Sequence, residues 1–354
     1  MVHVTIFAAG RASAMAFRAL VDAPGLHHSS RVPALKIFCD ARLDAEALER
    51  LRAGLAPHEL LLAREPGHVL NVNAPDATIA AADVALGQPA VESVLGAPRL
   101  RWVHVTSASV TRYDTPAFRS AAAQRGLLLT NSSTVYAEAC AEHAFAFLLA
   151  QARQLPRALR SRAAGGSPEW TALRGAMARL RGGRVVILGY GAIARRLVEL
   201  LAPFAMAITA MRRHPRGDEG APAVAPDDLA PALAVADHVI NILPHNAESE
   251  HFVSRERLAQ MKRGAVFYNI GRGATVDQDA LAASLHAGHL AAAWLDVTEP
   301  EPLPEGHVLW AAPNCYITPH VAGGYPGELL VLVDHFLDNL RRYENGSPLK
   351  DRVM

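Results

Sequence analysis

The sequence predicts an α/β protein in which two domains each contain a parallel β-sheet. The first indication is length, because a chain of 354 residues is longer than most domains with a single hydrophobic core. The second is a regular alternation of short apolar segments with helical ones, which favours parallel strands covered by helices on both faces. The third is composition, since 51% hydrophobic and 19% charged residues are typical of a folded globular chain.

The alternation begins near residue 34 and forms a first block. Short apolar runs in this block predict strands, and runs with apolar residues at helical spacing predict helices. The predicted strands are 35–39, 82–86 and 100–105, and the predicted helices are 44–55 and 136–154.

A second block follows a polar segment at 165–168, and its alternation is cleaner. The predicted strands are 184–188, 207–211, 237–243, 265–270, 290–295 and 315–318. The predicted helices are 192–201, 227–236, 254–261, 278–287 and a closing helix at 328–344.

The first 33 residues differ from the rest of the chain. They hold a single acid, Asp22, together with several arginines and an alanine-rich stretch at 12–19. This composition favours an extension outside the folded domains over an ordered first strand at 2–8.

Charge and cysteine content exclude several classes of protein. The formal net charge of +1 gives no indication of nucleic-acid or membrane-surface binding. No apolar run reaches the roughly 20 residues of a membrane span. The three cysteines, Cys39, Cys140 and Cys315, are far apart and lack a CxxC spacing, so we expect neither a disulfide framework nor a metal site. We expect a cytoplasmic protein.

A glycine-rich turn joins the strand at 184–188 to the helix at 192–201. Its sequence is Gly189-Tyr190-Gly191-Ala192-Ile193-Ala194, a G-x-G-x-x-A pattern in the strand–turn–helix context that dinucleotides require. The first glycine permits the tight turn, and the second lets the backbone approach a pyrophosphate. The helix N-terminus then offers free amides to the phosphates. This context predicts a dinucleotide-binding domain.

The next strand ends in residues that bear on the choice of dinucleotide. An acid at this position favours NAD, whereas arginine accommodates the extra phosphate of NADP. Here the strand ends in Arg212-Arg213, and no acid precedes Asp218. Two guanidiniums suit a dianionic phosphate. NADP(H) is therefore favoured, and NAD(H) remains the alternative.

Three further segments end predicted strands in the same block, where an open α/β sheet places its ligand. Arg272 stands between glycines after one strand, Glu301 lies in a Glu-Pro-rich segment after the next, and His320 follows the last. Each alone is compatible with an ordinary surface or buried residue. Together they supply a cation for a carboxylate, and a histidine acid/base with a carboxylate partner. This set fits the reduction of a 2-oxo acid.

From about residue 35 to its end, the chain resembles the D-isomer-specific 2-hydroxyacid dehydrogenase family. The resemblance rests on the glycine turn, Asn269 to Gly273, Leu295 to Pro302, and Thr318-Pro319-His320. The family's fold implies a Rossmann-type cofactor domain inserted in a flavodoxin-like substrate domain. The implied boundaries are 34–130 with 320–354 for the substrate domain, 131–319 for the NAD(P)-binding domain, and 1–33 as the extension.

The resemblance also implies a role for individual residues. His320 is implied as the acid/base, Glu301 as its partner, Arg272 as the anchor of the substrate carboxylate, and Asp296 as the residue that orients the nicotinamide carboxamide. The full cofactor set implied is Gly189, Tyr190, Gly191, Ala192, Ile193, Arg212, Arg213, Leu243, Pro244, Ile270, Gly271, Arg272, Asp296, His320 and Gly323. A homodimer is the implied assembly, and a small 2-oxo or 2-hydroxy acid is the implied partner.

The substrate turn departs from the family pattern. The resemblance implies that Ser107, Ala108, Ser109 and Val110, with Arg272, contact the substrate carboxylate. Ser109 stands where the family usually has glycine, which affects the backbone available for this contact. His245 stands where an apolar residue is common.

The best-fitting activity by resemblance is glyoxylate/hydroxypyruvate reduction. One alternative is a phosphoglycerate dehydrogenase-like activity without a regulatory domain. The other is a dinucleotide-sensing binding protein of the corepressor type, which shares the fold and the same three polar residues.

Overall fold

Two parallel β-sheets form the framework of the protein, which confirms the predicted fold class. The computed structural model describes residues 34–68, 71 and 73–354, and Ala34–Met354 forms one compact unit. The predicted extension at 1–33 lies outside the described residues.

The first sheet uses the amino-terminal strands, all of them parallel. They are β1 (Lys36–Ala41), β2 (Glu59–Gly67), β3 (Val84–Gly87), β4 (Trp102–Val105) and β5 (Leu128–Thr130). Their order in the sheet is β2-β1-β3-β4-β5, the flavodoxin-like order. β1, β3 and β4 are almost entirely buried, which explains why they are continuous apolar runs in the sequence.

The second sheet is also parallel and lies in the carboxyl-terminal half. Its strands are β6 (Arg184–Leu188), β7 (Ala207–Met211), β8 (Ala223–Val224), β9 (His238–Asn241), β10 (Val266–Asn269), β11 (Ala292–Leu295) and β12 (Cys315–Ile317). The order β12-β11-β10-β9-β6-β7-β8 is that of a Rossmann-type domain. The strand order reverses between β6 and β9, so a crevice opens beyond the carboxyl ends of these two strands.

Helices cover both sheets. They are α1 (Ala45–Gly54), α2 (Val91–Gly96), α3 (Pro116–Arg125), α4 (Ser133–Ala152), α5 (Leu155–Arg160), α6 (Pro168–Gly175), α7 (Ala192–Leu201), α8 (Ala230–Leu233), α9 (Arg255–Gln260), α10 (Gln278–His286), α11 (Val308–Ala311) and α12 (Glu328–Glu344). No helix in the described part of the chain is long and apolar enough to cross a membrane.

Helix α12 brings the end of the chain back to the first sheet. The indole of Trp102 on β4 stacks on Phe336 and on Tyr343 of α12, with ring centroids 5.4 and 5.5 Å apart. The segment after α12 continues to the sheet edge, where Arg352 forms an antiparallel bridge with Thr130. The carboxyl-terminal residues therefore complete the amino-terminal sheet.

The structure differs from the predicted elements mainly where the sequence is polar or contains proline. The predicted helix at 227–236 is a short 3-10 turn at Pro226–Asp228 followed by α8, because Pro226 and Pro231 permit helix starts but not helix interiors. Strand β5 has only three residues and was not predicted from its pattern. Helix α4 begins three residues earlier than predicted, at Ser133.

Candidate active site

The glycine turn lies in the crevice between β6 and β9. Gly189 has a φ of +95°, which favours glycine, and a Cβ there would make a tight contact of 3.2 Å with the carbonyl oxygen of Ile242. Gly191 precedes the first residue of α7. Apart from its chain neighbours, no heavy atom of the described residues lies within 4 Å of the position where its Cβ would stand, so the backbone at the start of α7 is open to a ligand.

A cleft of about 410 Å³ extends from this turn. The predicted site residues that line it are Ala108, Ser109, Val110, Gly189, Tyr190, Gly191, Ala192, Ile193, Leu243, Pro244, Ile270, Gly271 and Arg272. They come from the loops after β4, β6, β9 and β10, at the carboxyl ends of both sheets. The cleft therefore runs between the two sheets.

A second cavity of about 260 Å³ continues from the cleft. The two share Ala108, Ile193, Ile270 and Arg272 as lining residues. The predicted residues Asp296, His320 and Gly323 line only this inner cavity. Arg272 therefore stands where the two spaces meet.

His320 and Glu301 form a hydrogen-bonded pair. The imidazole Nδ1 lies 2.8 Å from Glu301 Oε2, and the other carboxylate oxygen accepts a bond from the backbone amide of Thr298 at 2.9 Å. Burial raises the pKa of Glu301, but these two hydrogen bonds outweigh it, so the pKa lies below its usual value. An ionised Glu301 holds the proton on Nδ1, so Nε2 is the ring nitrogen left for proton exchange with another group.

The backbone of His320 has a φ of +52°, in the left-handed region that non-glycine residues rarely adopt. Its amide donates to the carbonyl oxygen of Asp296 at 2.8 Å, which ties the loop after β12 to the end of β11. Such strained conformations are concentrated at functional sites, where surrounding structure holds them.

Arg272 is a half-buried cation, and partial removal from water lowers its pKa. Its side chain donates to the carbonyl oxygen of Gly271 at 2.6 Å. Among the residues that the structure describes, no carboxylate lies within 4.0 Å of the guanidinium. Because arginine stays protonated, a guanidinium at a cavity wall without an ion pair is a favourable site for an anion.

The sequence did not reveal how Arg272 is held. Asn269 donates to the Arg272 carbonyl oxygen at 3.1 Å, and the hydroxyl of Thr275 donates to the same oxygen at 2.7 Å. Asn241 on β9 bonds both of these side chains, at 2.9 and 2.7 Å. Gly273 is required by close approach, since a Cβ there would lie 2.0 Å from the backbone of Thr298. A buried polar network therefore fixes the backbone on both sides of the arginine.

Asp296 is buried and accepts hydrogen bonds on both oxygens. The Thr318 hydroxyl donates to Oδ1 at 2.6 Å, and the amides of Val321 and Ala322 donate to Oδ1 and Oδ2 at 3.0 and 2.9 Å. His143 Nε2 on α4 lies 3.6 Å from Oδ1. This carboxylate thus joins the end of β11, the His320 loop and α4.

Arg212 and Arg213 lie at the end of β7 and are paired with acids from nearby loops. Arg212 contacts Asp218 at 3.3 Å and the buried Glu219 at 3.2 Å, and Arg213 is paired with Glu248. The hydroxyl of Tyr190 donates to the carbonyl oxygen of Glu219. The loop that carries Asp218 and Glu219 therefore folds back onto the glycine turn.

The substrate turn after β4 is packed against the second sheet's loops. Ser107 is buried, and its hydroxyl donates to the Ser109 carbonyl oxygen at 2.6 Å, so it shapes the turn from within. The Thr111 hydroxyl donates to the carbonyl oxygen of His245 at 2.8 Å, which links the loops after β4 and β9. His245, which stands where an apolar residue is common, thus contacts the turn after β4 through its backbone.

Several lining residues were not predicted from the sequence. Asp114, Asn131, Ser133 and Val353 line the cleft, and His68, Tyr136, Cys140 and Glu328 line the inner cavity. No local pattern marks them, because they come from α4, from the start of α12 and from loops that are distant in sequence. Within the described ranges, no group of three or more His, Cys, Asp or Glu residues could hold a metal ion.

Comparisons with known proteins identify relatives of the chain. The family described as D-isomer specific 2-hydroxyacid dehydrogenase, NAD binding domain, matches residues 145–322, half of the chain. Glyoxylate/hydroxypyruvate reductase B of Erwinia tasmaniensis is 32% identical over 276 residues, covering 75% of this chain and 83% of that protein. The human glyoxylate reductase/hydroxypyruvate reductase is 35% identical over 200 residues, 56% of this chain and 61% of that protein. The chain thus spans less than two thirds of the human relative.

One solved structure extends the likeness to the whole fold. The NADPH-dependent glyoxylate/hydroxypyruvate reductase of Sinorhizobium meliloti, in complex with NADP and malonate, is 28% identical with a TM-score of 0.69. The superposition covers 90% of this chain and 96% of that one. The matched family and the coverage of the bacterial relatives lead to one conclusion. The chain belongs to the D-isomer-specific 2-hydroxyacid dehydrogenase family.

Proposed function

We propose that this protein is an NADPH-dependent reductase that interconverts small 2-oxo acids and D-2-hydroxy acids. One observation carries the proposal: Arg272, a half-buried cation without an ion pair among the described residues, lines the same cavity as His320, which is hydrogen-bonded to Glu301. A 2-oxo acid presents a carboxylate beside a carbonyl oxygen, so it needs an anion site and a proton donor close together.

The residues present fit a nicotinamide dinucleotide. The open backbone at Gly191 and the N-terminus of α7 suit a pyrophosphate, and the cleft leads from there to Arg272 and the inner cavity. Asp296, at the wall of that cavity, is proposed to accept a hydrogen bond from the nicotinamide carboxamide. When bound, the dinucleotide supplies the hydride.

In the proposed mechanism, Arg272 binds the substrate carboxylate and polarises the adjacent carbonyl. His320 gives a proton from Nε2 to the carbonyl oxygen as that oxygen gains negative charge. Glu301 holds the imidazole by Nδ1 and stabilises its protonated form. In the oxidative direction His320 takes the proton back from the hydroxyl group. The backbone of the turn at 107–110 offers further contacts to the substrate carboxylate.

The direct test is oxidation of NADPH and of NADH with glyoxylate, hydroxypyruvate, pyruvate and a bulkier 2-oxo acid. We expect turnover of the small acids with a preference for NADPH. Turnover only with NADH would contradict the role given to Arg212 and Arg213. A lack of turnover with every acid, while NADPH still binds, would overturn the proposed activity and favour a dinucleotide sensor.

The cofactor preference is expected to depend on Arg212. Changing Arg212 to glutamine removes a charge from the proposed ribose-phosphate site, so KM for NADPH should rise by roughly tenfold or more. KM for NADH, which has no phosphate there, should change less than threefold. Arg263→Gln is the matched control. This exposed arginine precedes β10, at the amino ends of the strands, whereas the proposed site lies at their carboxyl ends. Equal effects on the two cofactors would contradict the assignment.

Glu301→Gln should reduce kcat by roughly one to two orders of magnitude, because glutamine orients the ring but cannot stabilise the imidazolium. The pH dependence of stability provides a second readout. Since the pKa of Glu301 is lowered by folding, the stabilisation from its ionised form is present above the unfolded pKa of about 4.3 and is lost as pH falls through the folded value. The difference in unfolding free energy between wild type and variant should therefore shrink below about pH 4. A constant difference from pH 7 to pH 3 would contradict this account.

A further inference from the structure

The inner cavity continues past the proposed chemistry toward the start of α12. Arg272, Asp296 and His320 line one part of its wall, and His68, Gly324 and Glu328 line another. His68 and Glu328 also line a separate outer cavity of about 260 Å³, together with Arg42, Asp44 and Tyr325. These two residues therefore stand where the inner cavity meets the outer one.

The Glu328 carboxylate is fixed at this junction. Glu328 is in the first turn of α12, and its Oε2 accepts a hydrogen bond from the Tyr325 amide at 3.3 Å. A Cβ added to Gly324 would lie 3.9 Å from the same oxygen, so the carboxylate borders the glycine wall of the cavity. Burial raises the pKa of the Tyr325 hydroxyl, and the nearby charge of Glu328 raises it further.

The direction in which a substrate extends follows from the proposed function. Arg272 takes the first carboxylate, and the dinucleotide takes the cleft on the side of the glycine turn. The substituent on the third carbon then extends toward the part of the cavity wall formed by Gly324 and Glu328. A negative charge on that substituent would face a fixed negative charge in a partly enclosed space, where repulsion is stronger than in bulk water.

We propose that Glu328 is a specificity-determining residue whose carboxylate excludes 2-oxo dicarboxylic acids and admits 2-oxo acids with an uncharged substituent. This inference rests on the proposed function, since it assumes that the substrate carboxylate binds at Arg272. Like charges a few ångströms apart near a protein surface give discrimination of about tenfold or more. A hydroxyl substituent, in contrast, donates a charge-assisted hydrogen bond to such a carboxylate.

The test uses two substrates that differ only in charge: oxaloacetate and its terminal amide, 2-oxosuccinamate. For wild type, kcat/KM should be at least about tenfold higher for the amide. In Glu328→Gln this ratio should fall toward one, and in Glu328→Lys it should invert. Asp334→Asn removes a carboxylate from an exposed position on the same helix, where it pairs with Arg50, and should keep the wild-type ratio.

The outcomes separate this inference from the proposed function. A Glu328→Gln enzyme whose ratio of kcat/KM for the amide to kcat/KM for oxaloacetate equals that of wild type would overturn the inference. The proposed function would then still stand. Wild type that reduces neither glyoxylate nor hydroxypyruvate with either cofactor would overturn both. If Glu328→Gln is poorly folded by circular dichroism, the comparison is made on wild type with succinate and its monoamide, succinamate, as inhibitors. The monoamide should inhibit at least severalfold more strongly, and equal inhibition would count against the charge of Glu328.

Discussion

Replacing His320 with alanine is expected to reduce kcat for 2-oxo acid reduction by roughly 10²–10⁴-fold. The imidazole is the proton donor of the proposed mechanism, and its ring is held 2.8 Å from Glu301. In its absence water must protonate the developing oxyanion at a site arranged for a histidine. Steady-state kinetics with NADPH and glyoxylate would measure the effect.

Cofactor affinity separates a chemical role of His320 from a structural one. In the proposed function NADPH binds mainly along the cleft at the glycine turn, so its dissociation constant, measured by fluorescence titration, should change less than about threefold in His320→Ala. The matched control is His286→Ala, because His286 is exposed at the end of α10 and belongs to neither cavity. A large loss of NADPH affinity in His320→Ala, or a kcat near that of wild type, would contradict the role proposed for this residue.

Local rules account for the parts of the fold that the sequence predicts well. The strands of the second sheet are apolar runs bounded by turns, and the turn between β6 and α7 begins at Gly189, whose positive φ favours glycine. Strand β5, with three residues, is too short to have a pattern. It is a strand because β4 and the returning chain near Arg352 offer hydrogen bonds on its two edges.

Some residues of the candidate site can likewise be predicted from the sequence, and others cannot. Arg272, Glu301 and His320 were predicted as site residues because each lies in the segment that follows a predicted strand. The carboxyl ends of parallel strands meet at one edge of a sheet. Glu328 and Tyr136 were not chosen, since they reach the cavity from α12 and α4, helices distant in sequence from the strands. The ion pairs of Arg212 and Arg213 were not predicted either, because their partners Glu219 and Glu248 come from two separate loops whose packing has no signature in the sequence.

Arg272 provides the other large expected effect, and it tests the anion site directly. Arg272→Ala should lower kcat/KM for glyoxylate by roughly 10³-fold, because the substrate carboxylate loses a charge-assisted, bidentate partner in a desolvated cavity. Arg272→Lys keeps the charge but not the planar fork, so its loss should be smaller, roughly tenfold to a hundredfold. The measurement is the ratio kcat/KM for each variant, with NADPH saturating.

Stability measurements make the interpretation of the Arg272 variants unambiguous. Among the described residues the guanidinium has no ion pair within 4.0 Å, so removing it leaves no carboxylate there without a partner. The backbone at 272 is held by Asn269 and Thr275 rather than by the side chain. The unfolding free energy of Arg272→Ala should therefore stay within about 1 kcal/mol of wild type. Unchanged stability with near-wild-type kcat/KM would place the substrate carboxylate elsewhere, whereas unchanged stability with the expected loss identifies Arg272 as its anchor.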